Sequence, residues 1–186
     1  MHPDIRAARP DDAPGIAAIY DPLVVDTCIS FEAEPVGASG MEERIRSVTA
    51  RLPWLVSAEG PSIAGYAYAS PHRQRAAYRW AVETSIFVHP DHQGRGVARA
   101  LYTTLLSELT ALGYTTAWAG VTLPNAASVA LHARFGFTPV GVFEAVGFKH
   151  GRWHDVGWYR LPLGPLDGSP AEPAVWDPQR PLASSA

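Results

Sequence analysis

The hydrophobic positions of this chain follow a helical period most clearly over 97–112. Apolar residues there recur at 97, 101 and 105 and, beside them, at 98, 102, 109 and 112. This spacing places them on one side of a helix. Gly113 follows directly, and glycine is the usual residue just past a helix C-terminus. The pattern therefore predicts an amphipathic helix from Val97 to Leu112.

Three further segments show weaker helical patterns. One begins near Pro10–Asp12, carries apolar residues from Ile16 to Tyr20, and is expected to end or kink at Pro22. The second is predicted over Ser39–Arg51 with Ser39 as its cap, and the third runs from an Asn125 cap to Arg134, closed by Gly136.

Short runs of apolar residues between turn residues predict strands. Gly60-Pro61 joins two of them as a hairpin, and the last two form an antiparallel pair around Gly151. The predicted strands are 4–8, 54–59, 62–70, 80–88, 115–121, 137–149 and 153–161. Because strands and helices interleave, we expect a mixed α+β or α/β sheet covered by helices.

The chain changes character after residue 161. From Pro162 to Ala186 it holds six of the 17 prolines and ends in Ala-Ser-Ser-Ala. We expect a single domain over residues 1–163 and a tail over 164–186 that is extended or flexible and lies outside the core. Trp176 could still dock this tail somewhere.

Composition excludes several classes of protein. The 186 residues carry a net charge of -3, whereas a general nucleic-acid binder is usually basic. We find no apolar run long enough for a membrane span and no signal-peptide pattern. One cysteine, Cys28, excludes an internal disulfide and fits a reducing compartment. We therefore expect a cytoplasmic protein without nucleic-acid or membrane partners.

A glycine-containing loop, Gln93-Gly94-Arg95-Gly96-Val97-Ala98, separates the strand 80–88 from the long helix. Glycine allows close approach of backbone to a ligand, and free N–H groups at a helix start attract phosphate. Neither the dinucleotide fingerprint nor the P-loop pattern is present. By itself the segment is also compatible with an ordinary strand-to-helix turn.

The wider context resembles the Gcn5-related N-acetyltransferase (GNAT) superfamily. Gln93, Gly96 and Ala98 occupy the fixed places of its Gln/Arg-x-x-Gly-x-Gly/Ala motif, and ALHARFGF (130–137) is similar to a second family segment. The resemblance implies the GNAT fold, with a central mixed, mostly antiparallel sheet flanked by helices.

Four longer segments resemble the phosphinothricin N-acetyltransferase branch, which includes methionine sulfoximine and methionine sulfone acetyltransferases. They are LPWLV (52–56), YAYAS (66–70), YRWAVETSIFVHPDHQGRG (78–96) and GFKHGRWHDVGWY (147–159). The resemblance implies acetyl-CoA as co-substrate, no metal, and a homodimer. The residues it assigns to acetyl-CoA are Ile86, Phe87, Val88, Gln93, Gly94, Arg95, Gly96, Val97, Ala98 and Asn125.

Two residues are candidates for proton transfer. An α-ammonium group must lose a proton before it attacks, and Glu83 matches the base of the branch. The alternative is a solvated carboxylate or an ion pair with Arg79. The tetrahedral oxyanion would accept from an N–H of Phe87 or Val88. His132 is the candidate acid for the leaving thiolate, or else only a hydrogen-bonding residue of its helix.

The acceptor pocket is predicted from Arg73 and Arg75. On extended backbone these side chains share a face, and two guanidinium groups can hold a carboxylate and a second oxyanion. The resemblance places this stretch at the amino-acid site, with Phe31 and Tyr78 as apolar walls. Solvent-exposed arginines and core aromatics are the alternatives.

Several histidines are left without catalytic roles. His150, His154 and Asp155 lie close in sequence, but metal ligands need convergent geometry, and the closing hairpin explains them better. His89 and His92 flank the glycine loop, where they are expected to stabilise the turn.

The sequence thus predicts transfer of acetyl from acetyl-CoA to the α-amino group of a small amino acid. Phosphinothricin, methionine sulfoximine and methionine sulfone are the expected acceptors, with direct attack through a tetrahedral intermediate. The alternatives are acetylation of a protein N-terminus or another amine, a non-catalytic acyl-CoA sensor, and an interaction protein built on the fold.

Overall fold

The computed structural model describes residues 4–60 and 62–182, and its centre is a seven-stranded sheet. The strands in chain order are β1 (Asp4–Ala7), β2 (Trp54–Glu59), β3 (Ser62–Pro71), β4 (Ala81–Val88), β5 (Thr116–Leu123), β6 (Thr138–Lys149) and β7 (Arg152–Pro162). Their order in the sheet is β1-β2-β3-β4-β5-β7-β6. Among the described strands, only β4 and β5 pair in parallel, and the other neighbours are antiparallel. The predicted mixed, mostly antiparallel sheet is confirmed.

Four helices cover the sheet. They are α1 (Ala13–Asp26), α2 (Gly37–Thr49), α3 (Val97–Ala111) and α4 (Ala126–Arg134). One core joins α1 and α2 to the sheet through Trp54 and Val56, and the other joins α3 through Leu55. Successive side chains of β2 therefore enter opposite cores, as strand geometry requires. The sheet lies between two apolar layers.

Two helix boundaries differ from the prediction. Helix α1 continues for four residues beyond Pro22, which neither ends it nor removes its last turn. Helix α2 begins at Gly37, and Ser39 lies inside it. The carboxylate of Asp21 accepts hydrogen bonds from the N–H groups of Val36 and Gly37, at 3.0 and 3.1 Å. The acceptor at the start of α2 thus comes from α1 and not from a local cap.

The predicted helix ends after α3 and α4 are confirmed. Gly113 and Gly136 have φ values of +89° and +85°, a region that suits glycine. The hairpin β2–β3 is confirmed, with β3 one residue longer than predicted, and Pro61 of its turn lies outside the described residues.

We expected the C-terminal tail to lie outside the core, but part of it packs into the core. Trp176 is 3% exposed and belongs to the α3 core. Its Nε1–H donates to Glu108 Oε2 at 3.1 Å, and Arg180 contacts the same oxygen at 2.8 Å. The proline-rich composition predicted a chain without helices or strands, but the bulky indole and the buried carboxylate bring it onto α3.

In the part of the chain that the structure describes, none of the helices combines the length and apolar character that a membrane crossing needs.

Candidate active site

Strands β4 and β5 form a gap in the middle of the sheet. They pair only where residues 81–83 face 116–118, whereas β5 continues to pair with β7 as far as Leu123. Beyond Glu83 the two strands diverge around a cavity of about 80 Å³. Its walls are 84–87 on one side and 120–122 on the other, closed by residues of α4 and its cap.

The backbone of β4 directs alternate N–H groups into this gap. The N–H of His89 donates to the carbonyl of Ala64, and the carbonyl of Ala81 accepts from His72, so both groups face β3. Because strand backbone alternates, Ile86 and Val88 direct their N–H groups toward β5, whereas Phe87 faces β3. Of the two predicted oxyanion donors, this geometry favours Val88.

The glycine loop lies at the start of α3. Gly94 and Gly96 have φ values of +73° and +84°, and Gly96 is the residue that precedes the helix. The loop residues Gln93 to Gly96 are exposed, and a Cβ added at either glycine would meet nothing within 4 Å. The open backbone in front of free helix N–H groups suits a phosphate group. Val97 is buried, so only its backbone can face a ligand there.

Asn125 both caps α4 and lines the gap. Its Oδ1 accepts from the N–H of Ser128 at 3.0 Å, which is the capping interaction that the sequence predicted. The same residue belongs to the wall of the cavity between β4 and β5. Capping and contact with a ligand are therefore compatible at this position.

His132 is held by hydrogen bonds at both ring nitrogens. Nε2 lies 2.9 Å from the hydroxyl of Tyr102, and Nδ1 lies 2.8 Å from the carbonyl oxygen of Ser128. Since a carbonyl can only accept, Nδ1 carries the hydrogen, and a neutral ring accepts from Tyr102 at Nε2. Burial lowers the pKa of His132, which favours this neutral form. The hydroxyl of Tyr102 also meets that of Thr84, at 3.1 Å.

Glu83 lies at the point where the two strands part. Its side chain is 29% exposed, and its Oε1 is 3.0 Å from His72 Nδ1 and 2.9 Å from Arg73 Nη1. The considered ion pair with Arg79 is absent from the described residues, because Arg79 contacts Glu172 instead. Glu83 is thus a held carboxylate and not a freely solvated one.

Sequence reasoning missed His72. It comes directly before Arg73, in a segment where arginines drew attention, and its partners Glu83 and Trp118 are distant in sequence. The paired register of Glu83 with Trp118 brings these side chains together.

Arg73 and Arg75 line one cavity, although not for the expected reason. Strand β3 ends at Pro71, so the two side chains do not share a face of extended backbone. They instead line a cavity of about 450 Å³ at the end of the sheet, together with Arg51 and Arg79. Positive charge therefore gathers in this cavity, and Arg73 links it to Glu83.

The two predicted aromatic walls are partly exposed. Tyr78 is 43% exposed, and its ring lies 6.0 Å from that of His72, next to Glu83. Phe31 is 41% exposed and lies against Gly147 of β6. Neither is a core residue. Tyr78 contacts His72, which in turn contacts the carboxylate of Glu83, whereas Phe31 lies beside the closing hairpin.

The histidines of the closing hairpin make structural contacts. His154 Nε2 lies 3.0 Å from the carbonyl of Lys149, and Asp155 accepts from the N–H of Ala145. His150 meets the carbonyl of Thr27. Within residues 4–60 and 62–182, no group of three His, Cys, Asp or Glu side chains could hold a metal ion. At the glycine loop, His89 accepts from the N–H of Asp91, and its ring lies 5.6 Å from that of His92.

Comparisons with known proteins identify relatives of this chain. The profile of the acetyltransferase (GNAT) family matches residues 20–137. A phosphinothricin N-acetyltransferase of Streptomyces coelicolor is 39% identical, covering 86% of this chain and 95% of the relative. An L-methionine sulfoximine/L-methionine sulfone acetyltransferase of Salmonella typhimurium is 36% identical, covering 86% and 94%.

A solved structure shows the same arrangement of elements. The phosphinothricin acetyltransferase of Sinorhizobium meliloti, in complex with acetyl-CoA, is 35% identical with a TM-score of 0.88. The similarity covers 96% of this chain and 98% of that one. This chain belongs to the GNAT family of acetyltransferases.

Proposed function

We propose that the protein transfers the acetyl group of acetyl-CoA to the α-amino group of a small amino acid such as phosphinothricin, methionine sulfoximine or methionine sulfone. The observation that carries this proposal is the position of Glu83. Its carboxylate lies where β4 and β5 part, so a base stands at the mouth of the only parallel pair in the described sheet.

The strand gap and the glycine loop are the proposed site of acetyl-CoA. The N–H groups before and at the start of α3 face the pyrophosphate, with Gln93 and Arg95 as exposed polar neighbours. The backbone of residues 86–88 and the amide of Asn125 face the pantetheine and the thioester. The N–H of Val88 is the proposed donor to the oxyanion.

Glu83 is the proposed base. An amino acid arrives as an ammonium, and the carboxylate takes its proton directly or through a water, which leaves the amine lone pair free to attack. The bond from nitrogen to the acetyl carbon forms first, and the carbon–sulfur bond then breaks, so the thiolate leaves.

His132 is the proposed acid for that thiolate. Its lowered pKa means that the imidazolium form is sparse near neutral pH, yet it makes that form a strong donor. A thiol normally has a pKa of about 8.5, so the proton transfer from imidazolium to thiolate is favourable. Ser128 holds Nδ1–H, so the proton for the thiolate sits on Nε2, which exchanges the hydroxyl of Tyr102 for the thiolate sulfur.

The arginine cavity is the proposed site of the acceptor's anionic groups. Arg75 and Arg73 can bind a carboxylate and a phosphinate, sulfoximine or sulfone oxygen. Tyr78, whose ring lies 6.0 Å from that of His72, is the proposed apolar wall beside it, and Phe31 is the proposed wall on the hairpin side.

The test is thiol release from acetyl-CoA with a panel of amines. We expect strong release with phosphinothricin, methionine sulfoximine and methionine sulfone, and little with unmodified amino acids. Release only with peptides or other amines would favour the N-terminal or general amine alternative. Binding of acetyl-CoA by calorimetry without release across the panel would favour a non-catalytic sensor, and no binding would favour an interaction protein.

We also propose a homodimer in the cytoplasm. The β6–β7 hairpin exposes Val142, Phe143, Phe148 and Trp153 by half or more, and a second copy would cover such a face. Sedimentation of the wild type and of Phe148→Glu tests this, because a charge on the interface would shift the dimer toward monomer. A wild type that sediments as a monomer at all concentrations would contradict it.

A further inference from the structure

We propose that His72 is a positioning residue for Glu83, which holds one carboxylate oxygen so that the other faces the incoming amine. The inference rests on the proposed function, in which Glu83 is the base. It adds a residue that the acetyl-CoA loop, the strand gap and the arginine pair do not include.

The ring of His72 is fixed on three sides. It stacks on Trp118 with ring centroids 5.0 Å apart and planes 10° apart, and it meets Tyr78 and Trp158 edge-on, each at 6.0 Å. Its side chain is only 11% exposed. Its backbone N–H also donates to the carbonyl of Ala81, beside the start of β4. The imidazole thus has little freedom to leave Glu83.

The contacts divide the two oxygens of Glu83. His72 Nδ1 and Arg73 Nη1 both meet Oε1, at 3.0 and 2.9 Å. In the described part of the chain, Oε2 has no hydrogen-bond partner. A carboxylate oxygen with two donors is a poor proton acceptor, so Oε2 is the atom left for the ammonium proton.

The two donors differ in how firmly they are held. The side chain of Arg73 is 45% exposed and also lines the arginine cavity, where an anionic acceptor would compete with Glu83 for it. His72 is enclosed by aromatic rings and does not line that cavity. When the acceptor draws Arg73 away, His72 remains as the group that fixes the rotamer of Glu83.

A ring that served packing alone would need no nitrogen at this position. Phenylalanine would keep the stack on Trp118 but lose the donor at Nδ1. Asparagine would lose the stack, yet its Nδ2 reaches nearly the place of Nδ1, whereas the longer glutamine places its amide near Nε2. The three substitutions therefore separate packing from hydrogen bonding.

The experiment measures kcat and KM for the best acceptor of the panel in the full-length chain. We expect His72→Phe to lower kcat about tenfold or more, because a hydrogen bond to a charged group is lost. We expect His72→Asn to stay within about threefold of the wild type, and His72→Gln to resemble His72→Phe. The calorimetric Kd for acetyl-CoA should change less than about twofold in all three.

Two controls accompany these variants. His150→Phe replaces an exposed imidazole of the closing hairpin and should keep kcat within about twofold. In the double variant Glu83→Gln/His72→Phe, the loss should not exceed that of Glu83→Gln alone, since His72 acts only through the carboxylate.

Three results would overturn the inference. They are a wild-type kcat in His72→Phe, equal losses in His72→Asn and His72→Gln, and additive losses in the double variant. Its failure is distinct from that of the proposed function. If Glu83→Gln keeps the wild-type rate, Glu83 is not the base and the proposed function fails with it. If Glu83→Gln loses most of its rate while His72→Phe stays active, only the role of His72 is rejected. If His72→Phe does not fold, the comparison of His72→Asn with His72→Gln decides.

Discussion

Glu83 and Thr84 are neighbours on β4, yet their side chains enter two contrasting polar clusters on opposite faces of the sheet. Glu83 joins His72 and Arg73, with side chains that keep 29%, 11% and 45% of their exposure. Thr84 joins Tyr102 and His132, which are buried almost completely. We call the first the charged cluster and the second the neutral cluster.

The difference shows how one strand separates two kinds of hydrogen bonding. In the neutral cluster, burial lowers the pKa of His132 and raises the pKa of Tyr102, so both residues are held in their uncharged forms. In the charged cluster, the carboxylate of Glu83 meets solvent and the guanidinium of Arg73. Hydrogen bonds that involve charge therefore lie on the face of Glu83, whereas those on the other face join uncharged groups.

The largest expected effect comes from Glu83→Gln. A positioned base contributes about 10²–10⁴-fold, so kcat should fall by that factor while the free energy of unfolding changes by less than about 1 kcal/mol. Thiol release and urea denaturation measure the two quantities. Glu42→Gln, in an exposed pair with Arg46, is the control and should alter neither. A kcat within about threefold of the wild type would remove Glu83 from the mechanism.

The opposite pattern is expected for Tyr102→Phe. His132 Nε2 would lose its donor in a buried place, so the free energy of unfolding should fall by about 1–3 kcal/mol, while kcat should fall less than about tenfold. Tyr114→Phe is the matched control for stability alone, because the Tyr114 hydroxyl has no hydrogen-bond partner among the described residues but the side chain lines the arginine cavity. A loss of kcat above about 10²-fold at unchanged stability would reverse the roles that we give to the two clusters.

Arg75→Ala tests whether the arginine cavity beside the charged cluster binds the amino acid. Loss of a charge-assisted contact should raise the KM for the amino acid about tenfold, and the Kd for acetyl-CoA should stay within about twofold. Arg46→Ala, on the exposed side of α2, controls for the loss of one positive charge. Equal losses for both ligands would show that the arginine cavity does not serve the acceptor.

The smallest expected effect is the pH dependence of the neutral cluster. The pKa of His132 is lower in the folded chain than its ordinary value of 6.5, so just below pH 6.5 the unfolded chain binds more protons. The free energy of unfolding should therefore fall as the pH drops below about 6.5, by at most about 1.4 kcal/mol per pH unit from this residue. Urea denaturation of the wild type and His132→Gln from pH 5 to pH 8 measures the difference, and equal slopes would contradict it.

Local patterns in the sequence predicted most of the fold. Helix α3 and its end at Gly113 follow from periodicity and glycine geometry, and the Asn125 cap of α4 follows from residue type. The start of α2 could not be found in this way, because the groups that bond its first N–H groups belong to Asp21 of another helix.

The candidate site divides in the same way. The glycine loop and Glu83 lie in one continuous segment that a family resemblance can identify. The partner of Glu83 could not be predicted, since the position of His72 depends on a stack against Trp118 and on strand register. The neutral cluster likewise joins residues from β4, α3 and α4, which only tertiary packing brings together.

The contact between the tail and Glu108 has a consequence for biosynthesis. Glu108 leaves the ribosome 68 residues before Trp176 and 72 before Arg180, the two tail residues that bond its carboxylate. The apolar end of α3 that Trp176 covers therefore stays exposed until the tail has been synthesised. Contacts of such long sequence separation also form slowly.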